Sequence, residues 1–416
     1  MVTVDVIDRD HQSTGYASGW IAVTTPPLAD LHVLDLTHFI AGPYSTKLLG
    51  GLGADVIKIE RPGIGDGLRT VGPFVNDEPH PDRGCPFLYL NTDKRGITLN
   101  LKSDHGLQIA DQLLDWADVL VENFRPGVME SLGLSYKSLE KRYPKLVVVS
   151  LSNFGQTGPY RDLPMTDITA QAFGGLMNEM GEPDRTPLKL GGYQALYAAG
   201  VAAFTSTTIA LMARELRGVG QHVDISILEM QTHTEWHASV QYSYTGQERQ
   251  RLGRWNNWKI LKGADGYMGL VYNDRSWPAL RQLVGGALGD PRFDTLEGRT
   301  KYTLEVGAAV EGWLSSRSVR ETYHAGQKLG IPWGYVASMA DVVESPQYQA
   351  RSFVGELDHP VAGSAMYPGV PFTMGGYPSV PRRPAPQLGQ HNAEIYGDML
   401  GYDRSELMRL REYGVI

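Results

Sequence analysis

From Val33 to Ile59 the chain sets down an apolar run, a turn, a helical stretch and a second apolar run in quick succession. Val33 to Leu36 reads as a short, mostly buried strand, and Ala41-Gly42-Pro43 turns the chain into a helix through Leu52. Gly53 closes that helix, and Ala54 to Ile59 forms the next strand. Two strands joined through a helix argue for parallel pairing, because parallel strands need a crossover connection of this length. The pattern continues with a helix at Leu107 to Trp116, a strand at Val119 to Val121, and another strand at Leu146 to Ser150 after Pro144. The alternation predicts a parallel sheet covered by helices on both faces.

With 416 residues the chain exceeds what one core usually fills, so two domains are expected. The pattern changes near Gln250. Helices are predicted at Trp277 to Val284 and Leu304 to Leu314, in a smaller α+β unit that runs to about Val342. The last sixty or so residues carry Pro368, Pro371, Pro378, Pro381, Pro384 and Pro386 before a helix at Arg404 to Tyr413, as for a chain wrapping a surface. The predicted division is 1–226 for the first part of a large domain, 227–345 for a linker and small domain, and 346–416 for a return to the large one.

A net charge of −8 with no basic run argues against nucleic acid or an anionic membrane as partner. Cys85 is the single cysteine, which excludes an intrachain disulfide and points to a reducing, cytoplasmic setting. The N-terminal twenty residues carry acids and no apolar core of a signal peptide. Leu196 to Ala213 is free of charge and close to a membrane-spanning length, but Ser206, three threonines and many small residues favour a tightly packed, buried helix.

Catalytic signatures are sparse. There is no G-x-S-x-G, no phosphate-binding P-loop and no G-x-G-x-x-G after a strand. His233, Glu235 and His237 form H-x-E-x-H, which on a helix would place two imidazoles one turn apart. Without the zincin order or a third ligand, no metal site is predicted there. Lys58, Arg61, Arg69, Lys94, Arg95 and Arg125 fall in or just after predicted strands and turns. In an open α/β sheet that edge forms the ligand crevice, so the cluster suits a polyanion such as a nucleotide phosphate, or equally a solvated loop surface.

Longer motifs carry a resemblance. LHVLDLTHFIAGPYSTKLLGGLGADVIKIERPGIGDGLR (Leu31 to Arg69), NTDKRGITLNLKS (Asn91 to Ser103), ADVLVENFRPGVMESLGL (Ala117 to Leu134), the GVGQHVDIS segment from Gly218, GIPWGYV (Gly330 to Val336) and RPAPQLGQH (Arg383 to His391) resemble the class III CoA-transferases of the formyl-CoA and carnitine CoA-transferase type. The resemblance spans about residues 28 to 400. It implies an α/β fold with a Rossmann-like large domain made from both chain ends, a small α+β domain, and two subunits threaded as interlocked rings. It also implies CoA or acyl-CoA as substrate, with no permanently bound cofactor. By matching positions, His38, Phe39, Ile40, Ala41, Arg61, Asn91, Lys94, Arg95, Asn123, Phe124 and Arg125 would line the CoA site, and Pro164 to Asp167 would lie near the thioester.

In that family a carboxylate attacks the thioester to give a mixed anhydride and CoA thiolate, which keeps the acyl group activated for the acceptor acid. The family's aspartate lies four residues before a helix glycine, at a nearly fixed distance from the G-x-G-Q turn. Counted back from Gln221, the glycine is Gly200 and the aspartate position is Leu196. The resemblance therefore leaves four readings: the aspartate-lacking subunit of a hetero-oligomer, as in the benzylsuccinate CoA-transferase type with succinyl-CoA as donor; a homodimer using Asp167; a CoA-binding protein without transfer chemistry; and an acyl-CoA racemase. The last is the weakest, because the two proton carriers a racemase needs correspond to Thr166 and Leu196.

Overall fold

The computed structural model describes residues 25–235, 237–374, 377 and 380–416. The N-terminal stretch examined for a signal peptide, Trp236 within H-x-E-x-H, and Pro378 lie outside the described residues.

Six parallel strands form the main sheet: β1 (His32–Asp35), β2 (Asp55–Glu60), β3 (Lys94–Thr98), β4 (Val119–Glu122), β5 (Val147–Ser152) and β6 (His222–Ser226). Their spatial order is β3-β2-β1-β4-β5-β6, the doubly wound order of a Rossmann sheet. Helix α1 (Ala41–Gly51) joins β1 to β2, and α2 (Asp104–Trp116) joins β3 to β4. Ser103 starts α2 by accepting the Gly106 N–H, and Ile109, Leu113 and Leu114 place its apolar stripe on the sheet. On the other face α1 and the long helix α4 (Gln194–Arg217) pack against Val33, Val56, Val119 and Val149. A short helix, α3 (Asp167–Phe173), precedes α4.

Two compact units result. Among the described residues the larger comprises those of 25–174, 190–234 and 346–416, and the smaller those of 175–189 and 235–345. The smaller unit therefore also takes 175–189, and the crossing falls at Thr234 rather than Ile227. Its core is the antiparallel sheet β7 (Trp258–Lys262), β8 (Tyr267–Val271) and β9 (Trp333–Tyr335), with Leu280, Val306 and Val310 from its helices. After the hairpin β10 (Val354–His359) and β11 (Gly363–Pro368), the chain seals the β3 edge of the main sheet. The His391 N–H donates to the Gly96 carbonyl while its ring Nδ1 accepts the Gly96 N–H, the Asn392 amide holds Thr98, and the Val415 carbonyl accepts the Asn100 N–H. An edge strand covered in this way offers no template for a foreign chain.

Two expectations are corrected. Helix α4 is not buried all round. Ala195, Ala199, Gly200, Ala203, Thr207 and Ala210 face inward, whereas Val201, Ile209, Met212 and Leu216 form an exposed stripe. A Cβ on Gly200 would come within 2.7 Å of the Ala41 carbonyl, so the small residues serve one close contact with α1. The H-x-E-x-H run is not one helical face either. The helix through His233 ends at Thr234, and the Glu235 carboxylate caps the next one by accepting the Ala238 amide.

Buried ion pairs lock the crevice end of the sheet. The Asp35 carboxylate, fully buried, accepts from Lys94 Nζ at 2.9 Å, Thr46 Oγ1 at 2.7 Å and the Thr37 amide at 2.9 Å. Burial alone would raise its pKa; Lys94, Lys58 and the two threonine hydroxyls override that and hold it well below the usual range. Lys58 bonds Thr37 O at 2.7 Å and Asp66 at 3.0 Å, and Arg69 forks onto Glu60 with both contacts at 2.7 Å. Replacing Lys94 by Ala would leave Asp35 without its closest cation, and a broken buried pair costs roughly 3–5 kcal/mol. Urea unfolding should show that loss; a change under about 1 kcal/mol would show that the pair carries little stability.

Candidate active site

The strand order reverses between β1 and β4, and at that point the two loops leaving the sheet diverge and open a crevice. The loop after β1 carries His38, Phe39 and Ile40; the loop after β4 carries Asn123, Phe124 and Arg125. One side chain ties them together. Asn123 Oδ1 accepts the His38 N–H at 2.8 Å, and its Nδ2 donates to the His38 carbonyl at 2.8 Å. A two-way amide clamp of this kind fixes both loops by one pair of backbone groups.

Phe39 adopts φ 63°, a left-handed conformation costly for a residue with a Cβ, yet its ring is 55% exposed. Its amide donates to Asp66 at 3.1 Å, and its ring lies against Gly67, where a Cβ would come within 2.7 Å of the ring. Asp66 also accepts from Leu68 N–H and stands 3.9 Å from His38 Nδ1. Burial, and then the Lys58 ammonium, lower the His38 pKa, so the imidazole facing the crevice is neutral at pH 7.

The six basic residues expected to form an anion site separate into two groups. Lys58, Arg69 and Lys94 are fully buried and spent on Asp35, Asp66, Glu60 and Asp82. Asn91 is buried as well; its side chain accepts from Lys94 and donates to Phe87 O. Arg95 pairs with Asp55 and Glu394 at the start of β2 and β3, away from the crevice edge. These three predicted ligand residues, Asn91, Lys94 and Arg95, are thus committed to internal partners. Arg61, directly after β2, and Arg125, after β4, are exposed and form no ion pair with described residues. Lys102 follows β3 on the same edge and is exposed too. Its position in the NTDKRGITLNLKS motif becomes informative only once Lys94–Thr98 is seen to be a strand, which puts Lys102 at the crevice end of the sheet.

Along the edge, β5 leads through 153–166 to α3. Asp167 is 4% exposed, and both its oxygens are occupied: Oδ2 accepts Gln171 Nε2 at 2.7 Å, and Oδ1 accepts the Ala195 amide at 3.0 Å and, more weakly, the Leu196 amide at 3.4 Å. Gln171 in turn accepts Leu190 N–H. The carboxylate therefore caps α4, where the amides of the first turn lack helical partners. Leu196 is half-buried and packs on the apolar cluster of Ile40, Leu68 and Phe87. Thr166 bonds Thr169 in a capping box.

The sequence matches CoA-transferase family III across residues 28–392. The chain belongs to that family. Acetyl-CoA:oxalate CoA-transferase of Acetobacter aceti is 36% identical over 89% of this chain and 97% of that protein. Subunit BbsE of succinyl-CoA:(R)-benzylsuccinate CoA-transferase from Thauera aromatica is 32% identical over 92% of this chain and 97% of its own. A solved CAIB/BAIF family protein from Brucella suis aligns with a TM-score of 0.80 at 30% identity, covering 89% and 99% of the two chains. The family III assignment makes the chemistry CoA transfer, with CoA thioesters as substrates.

A further buried acid, Glu122, lies at the crevice end of β4. Glu122, 3% exposed at the end of β4, accepts Phe124 N–H at 2.8 Å and stands beside Ser150, whose hydroxyl meets His222 Nε2 at 2.9 Å. Desolvation raises its pKa to about 7, from 4.5 in the open chain. The unfolded state thus loses this proton first as pH rises, and stability falls from pH 4.5 through 7 before levelling off. The penalty approaches roughly 3 kcal/mol above that window. Glu122→Gln should therefore gain stability relative to wild type between pH 5 and pH 8, measured by urea unfolding; a parallel pH profile would show that Glu122 is ionised throughout.

Proposed function

We propose that this chain is the non-nucleophilic subunit of a two-chain CoA-transferase, which moves CoA from an acyl-CoA donor, of the succinyl-CoA kind, to a carboxylic acid. The observation that carries the reading is Asp167. Its two oxygens are spent on Gln171 and on the amides opening α4, while the neighbouring position 196 holds a leucine. Attack on a thioester needs a carboxylate oxygen that is free and open to substrate. Neither residue offers one, so the homodimer using Asp167 fits less well. Thr166 and Leu196 likewise lack the proton carriers of a racemase.

CoA enters as substrate. In this reading Arg61, Lys102 and Arg125 hold its phosphates, spaced along β2, β3 and β4. His38, Phe39, Ile40, Ala41, Asn123 and Phe124 line the crevice, and the thioester end lies toward Asp167 and Leu196. Asn91 and Lys94 support that edge from inside through Asp35, whereas Arg95 braces the opposite end of the sheet. The exposed stripe Val201, Ile209, Met212 and Leu216 on α4 is where a second chain packs, burying apolar surface a lone subunit leaves in water. The interlocked arrangement and a cytoplasmic setting belong to the same reading.

Native mass spectrometry of the protein from its own cells should show a partner chain of similar mass. A homomer that exchanges CoA between acids, and loses that activity in Asp167→Asn, would overturn the assignment. In the isolated chain, Arg61→Ala should raise the CoA dissociation constant about tenfold or more by calorimetry, the value of one charge-assisted contact. An unchanged constant would remove Arg61 from the site, and no CoA binding by the wild-type chain would leave only a structural role.

A further inference from the structure

Three tyrosines converge where Leu196 stands. Tyr44 lies in the first turn of α1, Tyr197 in the first turn of α4, and Tyr89 on the helix Cys85–Leu90. The Tyr44 and Tyr197 rings meet edge-on with centroids 4.9 Å apart, and Tyr89 stands 6.5 Å from Tyr197. All three pack with Leu196 on the cluster of Ile40, Leu68 and Phe87. Lys47, one turn along α1 from Tyr44, is 4% exposed; its ammonium donates to Thr92 at 2.7 Å and lies 4.7 Å from the centre of the Tyr89 ring.

Packing alone would be served by phenylalanine at each position. The hydroxyls are the unexplained part. Those of Tyr44 and Tyr89 pair with each other, which uses one of two O–H donors. The Tyr197 hydroxyl has no hydrogen-bond partner among the described residues. Burial raises all three phenols above their ordinary value, so they keep their protons as donors. One donor of the Tyr44–Tyr89 pair and the Tyr197 hydroxyl thus remain available beside a nearly buried cation, and an incoming acceptor can take the place of water on them.

We propose that Tyr44, Tyr89 and Tyr197 form a carboxylate-binding subsite that receives the free carboxylate of the acid substrate beside Leu196. A carboxylate is an acceptor-only group with room for several donors. The Lys47 ammonium adds a favourable field without a direct contact. Leucine at position 196 helps, because an aspartate there would repel the incoming anion. The substitution that removes the nucleophile is therefore the one that lets an anion settle. This assignment rests on the proposed function in placing the reacting end of the substrate at Leu196.

The test is calorimetric titration of succinate into the chain, with and without CoA, for wild type, Tyr44→Phe and Tyr197→Phe. Each variant is expected to weaken succinate about tenfold, the loss of a hydrogen bond to a charged group, with CoA affinity and melting temperature unchanged. Succinamide, of the same shape but neutral, should bind wild type and variants alike. Wild-type succinate affinity in both variants, or no saturable succinate binding by wild type, would overturn the subsite. An equal loss for succinamide would also overturn it, since the rings would then act by packing. Tyrosine-dependent succinate binding in a chain that ignores CoA would support the subsite and overturn the CoA placement instead.

Discussion

The buried Asp35 carboxylate holds the crevice together. It terminates β1, and its acceptor sites reach three elements: the Thr37 turn, α1 through Thr46, and β3 through Lys94. Lys58 extends the network from β2 to the Thr37 carbonyl and Asp66. Asp66 then fixes the Phe39 amide, and Asn123 fixes His38. A strained Phe39 backbone is sustained only where its surroundings over-determine it, and this chain of contacts does so. A buried ion network is weak as a source of net stability, because desolvation consumes most of its attraction. Its effect here is geometric: loops that would otherwise wander are referred to one carboxylate.

That network explains which parts of the molecule were legible in the sequence. Strands β1, β2, β4 and β5 and helices α1 and α2 follow from apolar period and glycine punctuation, and their ends shift by only a few residues. Strand β3 was missed because it opens with Lys94-Arg95-Gly96, which reads as a turn. Lys94 can enter a strand only because Asp35, far off in sequence, neutralises it. The same long-range pairing decides which of the basic residues face solvent. Arg61 and Arg125 do; Lys58, Arg69 and Lys94 do not, and no local pattern separates them. The charge-free run in α4 gave the helix but not its exposed stripe, since burial depends on what packs against each face. The H-x-E-x-H spacing assumed a helix that Glu235 interrupts by capping the next one.

The candidate site mixes both kinds of information. The motif around Asn123 located the clamp, although its two-way bond to His38 emerges only from the folded loops. Lys102 shows the reverse case: the residue stood in a quoted motif, but its place at the crevice edge depends on knowing where β3 ends.

The start of α4 unites the remaining features. A helix N-terminus presents unpaired amides and a partial positive charge, and some acceptor must answer them. Asp167 does so from α3, accepting the amides of Ala195 and Leu196. A capping carboxylate has its lone pairs directed at amide hydrogens, which leaves less of it free to act as a nucleophile. With leucine at 196 the first turn of α4 presents no charge of its own, and Tyr44, Tyr89 and Tyr197 pack with Leu196 on one apolar cluster. A site so composed can bind and orient an anion without reacting with it. In the proposed two-chain reading the bond exchange falls to a carboxylate of the partner, and the exposed apolar stripe farther along the same helix is the surface on which that partner packs.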